Sequence, residues 1–443
     1  MSDIVFTAEP AEQLTGQVRV PGDKSISHRA IMLGALAEGT TEISGFLVGE
    51  DCLATLHAYR SLGVVIDDPA EGDFKVYGVG LHGLSVPEAA LDMGNAGTAM
   101  RLMTGVMTGQ NFDSILTGDS SLNRRPMRRV TEPLSRMGAR IETTPDGTAP
   151  LHIKGGHPLT GIDYPLPVAS AQIKSCLMLA GLYAQGSTVI TEPAPSRDHT
   201  ERMLDAFGWP VERHDNRIAI TGGGRLTGCA VDVPADPSSA AFFLVGASIA
   251  RKADIILENV GINPTRTGII TLLQMMGADI ELLNRRQVGS EPVADIQVRS
   301  ARLRGIEIPE HLVPLAIDEF PALFIAAAVA EGKTVLTGAA ELRVKESDRI
   351  QVMADGLQAN GIDARATPDG MIIEGGGILS GATVDSHGDH RIAMAFAMAS
   401  LRAEQPIRIL DCANVNTSFP GFVRLARQAG LNISEEVRVC PPQ

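Results

Sequence analysis

Two kinds of apolar pattern alternate along this 443-residue chain. The first starts on small or polar residues and continues as an apolar helix. It occurs at 25–39, 95–109, 170–186, 238–253, 318–332 and 389–404. The second is more amphipathic, at 50–63, 125–138, 197–208, 264–277, 346–361 and 419–430. These segments often end in leucine or methionine followed by glycine, a helix C-cap signal. Short β-rich runs lie between them, at 41–43, 114–117, 188–191, 255–258, 334–337 and 407–410. Others, at 217–221 and 371–374, sit between turn residues. Starts of the apolar helices are about 70 to 80 residues apart, a period that signals a modular fold whose units share cores. The pattern predicts two strand–helix steps, repeated six times.

Val20-Pro21-Gly22-Asp23-Lys24-Ser25 is echoed by Val233-Pro234-Ala235-Asp236-Pro237-Ser238, and each precedes an apolar helix. We place the two crossings between domains there, near 20 and 235. The expected domains are 21–234, and 1–20 plus 235–443. A site between two such domains can close around a ligand.

Composition narrows the function. Apolar residues make up 44% and charged residues 20%, as in an ordered globular protein. A net charge of −14 argues against a general nucleic-acid binder, and 4% aromatics against base stacking. No apolar run reaches membrane-spanning length and no secretory signal opens the chain, so a cytoplasmic protein without a membrane partner is expected. Cys52, Cys176, Cys229, Cys412 and Cys440 are scattered and odd in number. They fit free thiols in a reducing cytosol and show no zinc spacing.

The chemistry gathers at helix starts. In Pro21-Gly22-Asp23-Lys24-Ser25-Ile26-Ser27-His28-Arg29, Lys24 stands where a helix begins. A helix N-terminus carries partial positive charge, so a lysine there calls for an anion. Asp23 between Gly22 and Lys24 excludes a P-loop. Asn123-Arg124-Arg125-Pro126-Met127-Arg128-Arg129 places Arg124 and Arg125 at a predicted helix start opened by Pro126. A solvated basic surface has the same pattern. In Arg343-Val344-Lys345-Glu346-Ser347-Asp348-Arg349, Lys345 and Arg349 are like charges at i, i+4, which a shared anion would relieve. An ordinary charged helix face also accounts for them. Asp318 can act as a base or cap the apolar helix that it borders. Ser386-His387-Gly388-Asp389-His390-Arg391 matches no strong metal motif, and its Arg391 is another cation at a helix start. Arg197, in Arg197-Asp198-His199-Thr200-Glu201, repeats that theme. Asn95-Ala96-Gly97-Thr98 and Ser170-Ala171-Gln172 begin helices with small groups suited to ligand oxygens, or to capping. Together they imply a ligand with more than one phosphate or carboxylate.

Pro21–Arg29, Asn95–Arg101, Arg125-Pro126, Ser170-Ala171-Gln172, Arg343–Arg349 and Asp389–Met394, in this order, closely resemble the 5-enolpyruvylshikimate-3-phosphate (EPSP) synthases. The resemblance runs over essentially the whole chain. It implies an α/β fold of two similar domains, each of three βαβαββ repeats forming an inside-out α/β barrel, with the active site in the cleft between them. It implies transfer of the enolpyruvyl group of phosphoenolpyruvate to the 5-hydroxyl of shikimate 3-phosphate, with no metal or organic cofactor. Lys24, Ser25, Arg29, Ser170, Ala171, Gln172, Arg197, Asp318 and Lys345 would contact shikimate 3-phosphate. Lys24, Gly97, Arg125, Gln172, Arg349 and Arg391 would contact phosphoenolpyruvate. Asp318 would be the base on the 5-hydroxyl, and Glu346 and Lys24 would move protons at the methylene and the bridging oxygen. Ala171, Glu341 and Thr417 depart from the first class of the family and resemble the second, where glyphosate-tolerant members occur. Gly97, however, is retained where a tolerance-associated alanine occurs in the family, so the response to glyphosate, a possible inhibitor, stays open with a lean towards partial tolerance, and a monomer is expected. The sister enolpyruvyl transferase acting on UDP-N-acetylglucosamine is the alternative. It uses a loop cysteine as an acid, and no cysteine here lies in a comparable basic loop.

Overall fold

In the computed structural model, which describes residues 2–70 and 72–439, the alternation becomes twelve α-helices among the described residues. They are α1 (Lys24–Leu36), α2 (Glu50–Ser61), α3 (Gly97–Met107), α4 (Arg128–Arg136), α5 (Ala171–Gly181), α6 (His199–Ala206), α7 (Pro237–Ile249), α8 (Gly268–Met275), α9 (Phe320–Val329), α10 (Arg349–Ala359), α11 (His390–Ala399) and α12 (Phe422–Ala429). The odd-numbered helices form the interior: every residue of α7 and α11 is buried. Helices with no polar face are stable only inside a core. The even-numbered helices keep polar residues on their outer side. α1 begins because Asp23 caps it, accepting from the Ile26 amide at 2.9 Å, and ends where Ala37 turns extended.

Each repeat is strand, inner helix, strand, outer helix, hairpin. Residues Leu91–Asp92 run parallel to Ser114–Thr117 across α3, and Arg140–Glu142 and Leu151–Lys154 complete that sheet antiparallel. Asp163–Pro165, Ser187–Thr191, Glu212–His214 and Arg217–Thr221 repeat the plan around α5 and α6. Around α1 the first strand is supplied late in the chain, by Ala230–Asp232 pairing parallel to Glu38–Ser44. Around α7 it is supplied early, by Gln13–Val18 pairing parallel to Lys252–Gly261. The N-terminal strand Ser2–Ala8 completes the last sheet, antiparallel to Ile407–Leu410 and Ile433–Val439. The repeat around α9 has a three-stranded sheet, its first strand reduced to isolated bridges such as Glu307 with Val335. Strands such as Asp73–Val79 alternate buried and exposed residues, so the sheets face the helices on one side and solvent on the other.

The chain divides into two compact units, each with its own apolar core. The first comprises Gly22–Val233 with the turn Val288–Glu291. The second comprises the segments up to Pro21, Pro234–Gln287 and from Pro292 onward. The turn is a detail that the two-segment division expected from the sequence lacks. It ends the hairpin of Asp279–Val288 and Glu291–Arg299, and Glu291 meets His199 Nδ1 at 2.7 Å, both buried. Gly22 is required at the entry to the first unit, because a Cβ there would stand 2.0 Å from the Gly45 carbonyl oxygen. Cys440 lies outside the described residues. Cys52, Cys176, Cys229 and Cys412 are free thiols, and burial pushes Cys176 up to about 12.

Candidate active site

In the first unit the helix starts of α1, α3 and α5 each carry cations or small polar groups. Lys24, the first residue of α1, is half-buried, and its ammonium meets Asp51 of α2 at 2.9 Å. Four residues on, His28 is fully buried and its Nδ1 shares a 2.7 Å hydrogen bond with Thr55 Oγ1. Arg29 is buried and donates to Thr200 Oγ1 at 2.7 Å, Ser175 Oγ at 2.7 Å and the Ser25 carbonyl at 2.8 Å. Ser170 caps α5, accepting from the Ile173 amide at 3.4 Å. Gln172, in the first turn, accepts from Arg101 Nη1 at 2.7 Å and donates to Thr98 Oγ1 at 3.0 Å. Arg125 donates to Asn95 Oδ1 at 2.5 Å. A Cβ on Gly97 would be 3.0 Å from Arg125 Nη1 and 3.1 Å from Arg101 Nη1. Gly97 therefore opens the space at which two guanidiniums converge.

The second unit gathers acids with bases. Asp318 Oδ1 lies 3.3 Å from Lys345 Nζ and 3.3 Å from Arg349 Nη1. Arg349, 1% exposed, also meets Glu346 Oε2 at 2.6 Å and Asp389 Oδ2 at 2.8 Å. Burial works against its charge, but Asp389, then Glu346 and Asp318, more than offset that, and its pKa is raised. Asp389 caps α11 by accepting from the Arg391 amide at 2.9 Å, and it also accepts from Ser347 Oγ at 3.1 Å. Arg391 Nη1 donates to the Asp318 carbonyl oxygen at 2.9 Å. Asp318, Glu346, Lys345, Arg349 and Arg391 thus form one cluster of ion pairs and hydrogen bonds, joined through Asp318 and Arg349, with Asp389 behind Arg349.

Comparisons with known proteins identify the family. The family model described as EPSP synthase (3-phosphoshikimate 1-carboxyvinyltransferase) matches residues 8–425. The chain belongs to the EPSP synthase family. It is 67% identical to the 3-phosphoshikimate 1-carboxyvinyltransferase of Methylococcus capsulatus, over 97% of this chain and 98% of that one. It is 65% identical to that of Alkalilimnicola ehrlichii, over 97% of this chain and 96% of that one. The solved EPSP synthase from Acinetobacter baumannii superposes with a TM-score of 0.87 at 56% identity, covering 98% of this chain and all of that chain.

Within the EPSP synthase frame, several local readings need correction. Arg125 does not start a helix. Leu122–Arg124 is a short 3-10 turn, Arg125 is extended, and α4 begins at Arg128. The residue before a proline avoids the helical region, and Arg125 precedes Pro126. Arg124 and Arg128 are exposed, whereas Arg125 is buried. Lys345 and Arg349 do not share a helical face, because Asp348 caps α10 and Lys345 lies before it, extended. They are neighbours through Asp318. Arg197 precedes α6 by two residues, and Glu319, not Asp318, occupies the cap position of α9. Thr417 is buried and donates to the Asn414 carbonyl at 2.7 Å. Asp51, Asp389 and Arg101 were not singled out from the sequence as site residues. Arg101 had a local signal, lying one turn after Gly97 on α3. Asp51 had none, since its partner Lys24 is 27 positions away.

Proposed function

We propose that this protein transfers the enolpyruvyl group of phosphoenolpyruvate to the 5-hydroxyl of shikimate 3-phosphate, releasing phosphate. What carries the reading is the Asp318 carboxylate, held between Lys345 and Arg349 with Glu346 on the same guanidinium. A base must be fixed within reach of the hydroxyl it deprotonates, and two cations fix this one. The first unit supplies the complementary property. Lys24, Arg29, Arg101, Arg125 and Arg197 are cations suited to phosphate and carboxylate, and guanidiniums bind both groups bidentately. Held so, C2 of the donor meets the oxygen nucleophile at a high effective concentration.

In this reading shikimate 3-phosphate is bound by Lys24, Ser25, Arg29, Ser170, Ala171, Gln172, Arg197, Asp318 and Lys345. Phosphoenolpyruvate is bound by Lys24, Gly97, Arg125, Gln172, Arg349 and Arg391. Asp318 takes the 5-hydroxyl proton. Glu346 and Lys24 handle the protons at the methylene and the bridging oxygen: the methylene gains a proton as the tetrahedral ketal forms, and the resulting methyl loses one as the bridging oxygen is protonated and phosphate leaves, which restores the double bond. In this reading the protein acts as a monomer. Glyphosate is the inhibitor expected to compete with phosphoenolpyruvate. The family match weighs against the UDP-N-acetylglucosamine alternative. Purified protein should release phosphate only when phosphoenolpyruvate and shikimate 3-phosphate are both present. Release with UDP-N-acetylglucosamine instead would refute the proposal.

A further inference from the structure

One buried cation of the first unit has no part in the chemistry above. Lys174 of α5 is 1% exposed, with Nζ 2.7 Å from Glu201 Oε1 and 3.0 Å from Glu192 Oε2. The same ammonium lies 3.4 Å from the Ser196 carbonyl oxygen, and Ser196 Oγ donates to the other oxygen of Glu192. Burial pushes the Glu192 carboxyl up, and Lys174 only partly offsets that. Such a cluster is a poor choice for stability alone. Apolar residues of similar volume often do as well, while loss of one partner strands a buried charge.

Its place in the fold gives it another use. Arg197 stands between Ser196 and the first turn of α6, and Lys174 reaches both: Ser196 through its carbonyl, the turn through Glu201. At the other end, Lys174 is two residues beyond Gln172, on the helix that begins with Ser170 and Ala171. The adjoining layer is built alike. Thr200 Oγ1 donates to Ser175 Oγ at 2.7 Å, and Arg29 bonds both hydroxyls. A single ammonium therefore ties the start of α5 to the segment carrying Arg197.

We propose that Lys174, with Glu192 and Glu201, is a positioning residue that holds Arg197 in register with the start of α5 and so sets the affinity for the phosphoryl group of shikimate 3-phosphate. This rests on the role given to Arg197 in the proposed function.

The test is a double-mutant cycle on kinetics with shikimate 3-phosphate and phosphoenolpyruvate. Lys174→Met should raise KM for shikimate 3-phosphate by about tenfold and leave kcat within about twofold, as expected for a loss of uniform binding. Arg197→Ala should raise that KM by about 10- to 100-fold, the range for a hydrogen bond to a charged group. Added to Arg197→Ala, Lys174→Met should change KM by less than about twofold, because its effect runs through the missing arginine. Equal factors in both backgrounds, or an unchanged KM in Lys174→Met alone, would overturn the positioning role. Should Lys174→Met fail to fold, Glu201→Gln goes through the same cycle, with a KM rise of about threefold confined to the Arg197 background. A wild-type protein that does not turn over these substrates, or an Arg197→Ala variant with unchanged KM, overturns the functional reading itself. Active wild type, a weakened Arg197→Ala and additive factors overturn only the role of Lys174.

Discussion

Replacing Gly97 by alanine adds one carbon at the point where two guanidiniums meet. That carbon would stand 3.0 Å from Arg125 Nη1, 3.1 Å from Arg101 Nη1 and 3.6 Å from Leu122 Cδ1. Relaxed contacts between heavy atoms lie at about 3.5 Å or beyond, so each guanidinium must yield by a few tenths of an ångström. Neither is loose. Arg101 is 6% exposed and held by Gln172 at 2.7 Å, and Arg125 is 7% exposed and held by Asn95 at 2.5 Å. Hydrogen bonds to charged groups contribute about 1.5–3 kcal/mol, so weakening one by a third to a half costs about 1 kcal/mol. That converts to a rise of about fivefold in KM for phosphoenolpyruvate. KM for shikimate 3-phosphate should move less, and the melting temperature should fall by no more than about 4 °C. Steady-state phosphate release at saturating shikimate 3-phosphate reads the effect. An unchanged KM for phosphoenolpyruvate in a folded Gly97→Ala protein would refute the assignment of this space to that substrate.

Lys24→Met should abolish turnover. Loss of its pair strands the mostly buried Asp51 carboxylate and should cost about 3 kcal/mol, seen as a drop in melting temperature; turnover near the wild-type level would remove Lys24 from the mechanism. Asp318→Asn should lower kcat by about a hundred- to ten-thousandfold, the range for a positioned base, and a loss below tenfold would show that another group takes the proton. His28 should make stability depend on pH. Burial, then Lys24 and Arg29, push it down to about 3 from 6.5, against the opposing Asp23. The unfolded chain binds this proton below pH 6.5 and the folded chain only near pH 3, so stability present above pH 6.5 is lost as pH falls through that window. Between pH 7 and pH 5 the loss is about 2 kcal/mol. Urea unfolding at the two pH values should show it, and His28→Gln should remove it; equal slopes for both proteins would refute the effect.

The repeat was legible because it is written in hydrophobic periodicity, which local packing enforces. All-apolar segments such as 320–329 have nowhere to go but the interior. Helix starts were less legible. The pattern began α10 at Glu346, whereas Asp348 accepts from the Gln351 amide and starts the helix at Arg349. The caps decide such boundaries within a few residues, and those residues carry the chemistry. Arg125 was noticed for the wrong reason: what sets it apart from Arg124 and Arg128 is burial beside Gly97, which no charge count shows. Partners far apart in sequence were the least legible. Lys24 with Asp51 and Lys174 with Glu192 meet through packing of elements within one repeat, and Arg349 with Asp389 through the stacking of neighbouring repeats, none of them by local spacing. Cations at helix starts call for anions, and part of the answer lies within the protein, in Asp51, Asp318 and Asp389.

Phosphorus NMR of the purified protein with phosphoenolpyruvate and shikimate 3-phosphate tests the central claim most directly. The account predicts that the phosphoenolpyruvate resonance disappears, that inorganic phosphate grows in step with it, and that the phosphate ester on the shikimate ring persists in a new product. Persistence of phosphoenolpyruvate, or loss of the ring ester instead, would contradict it.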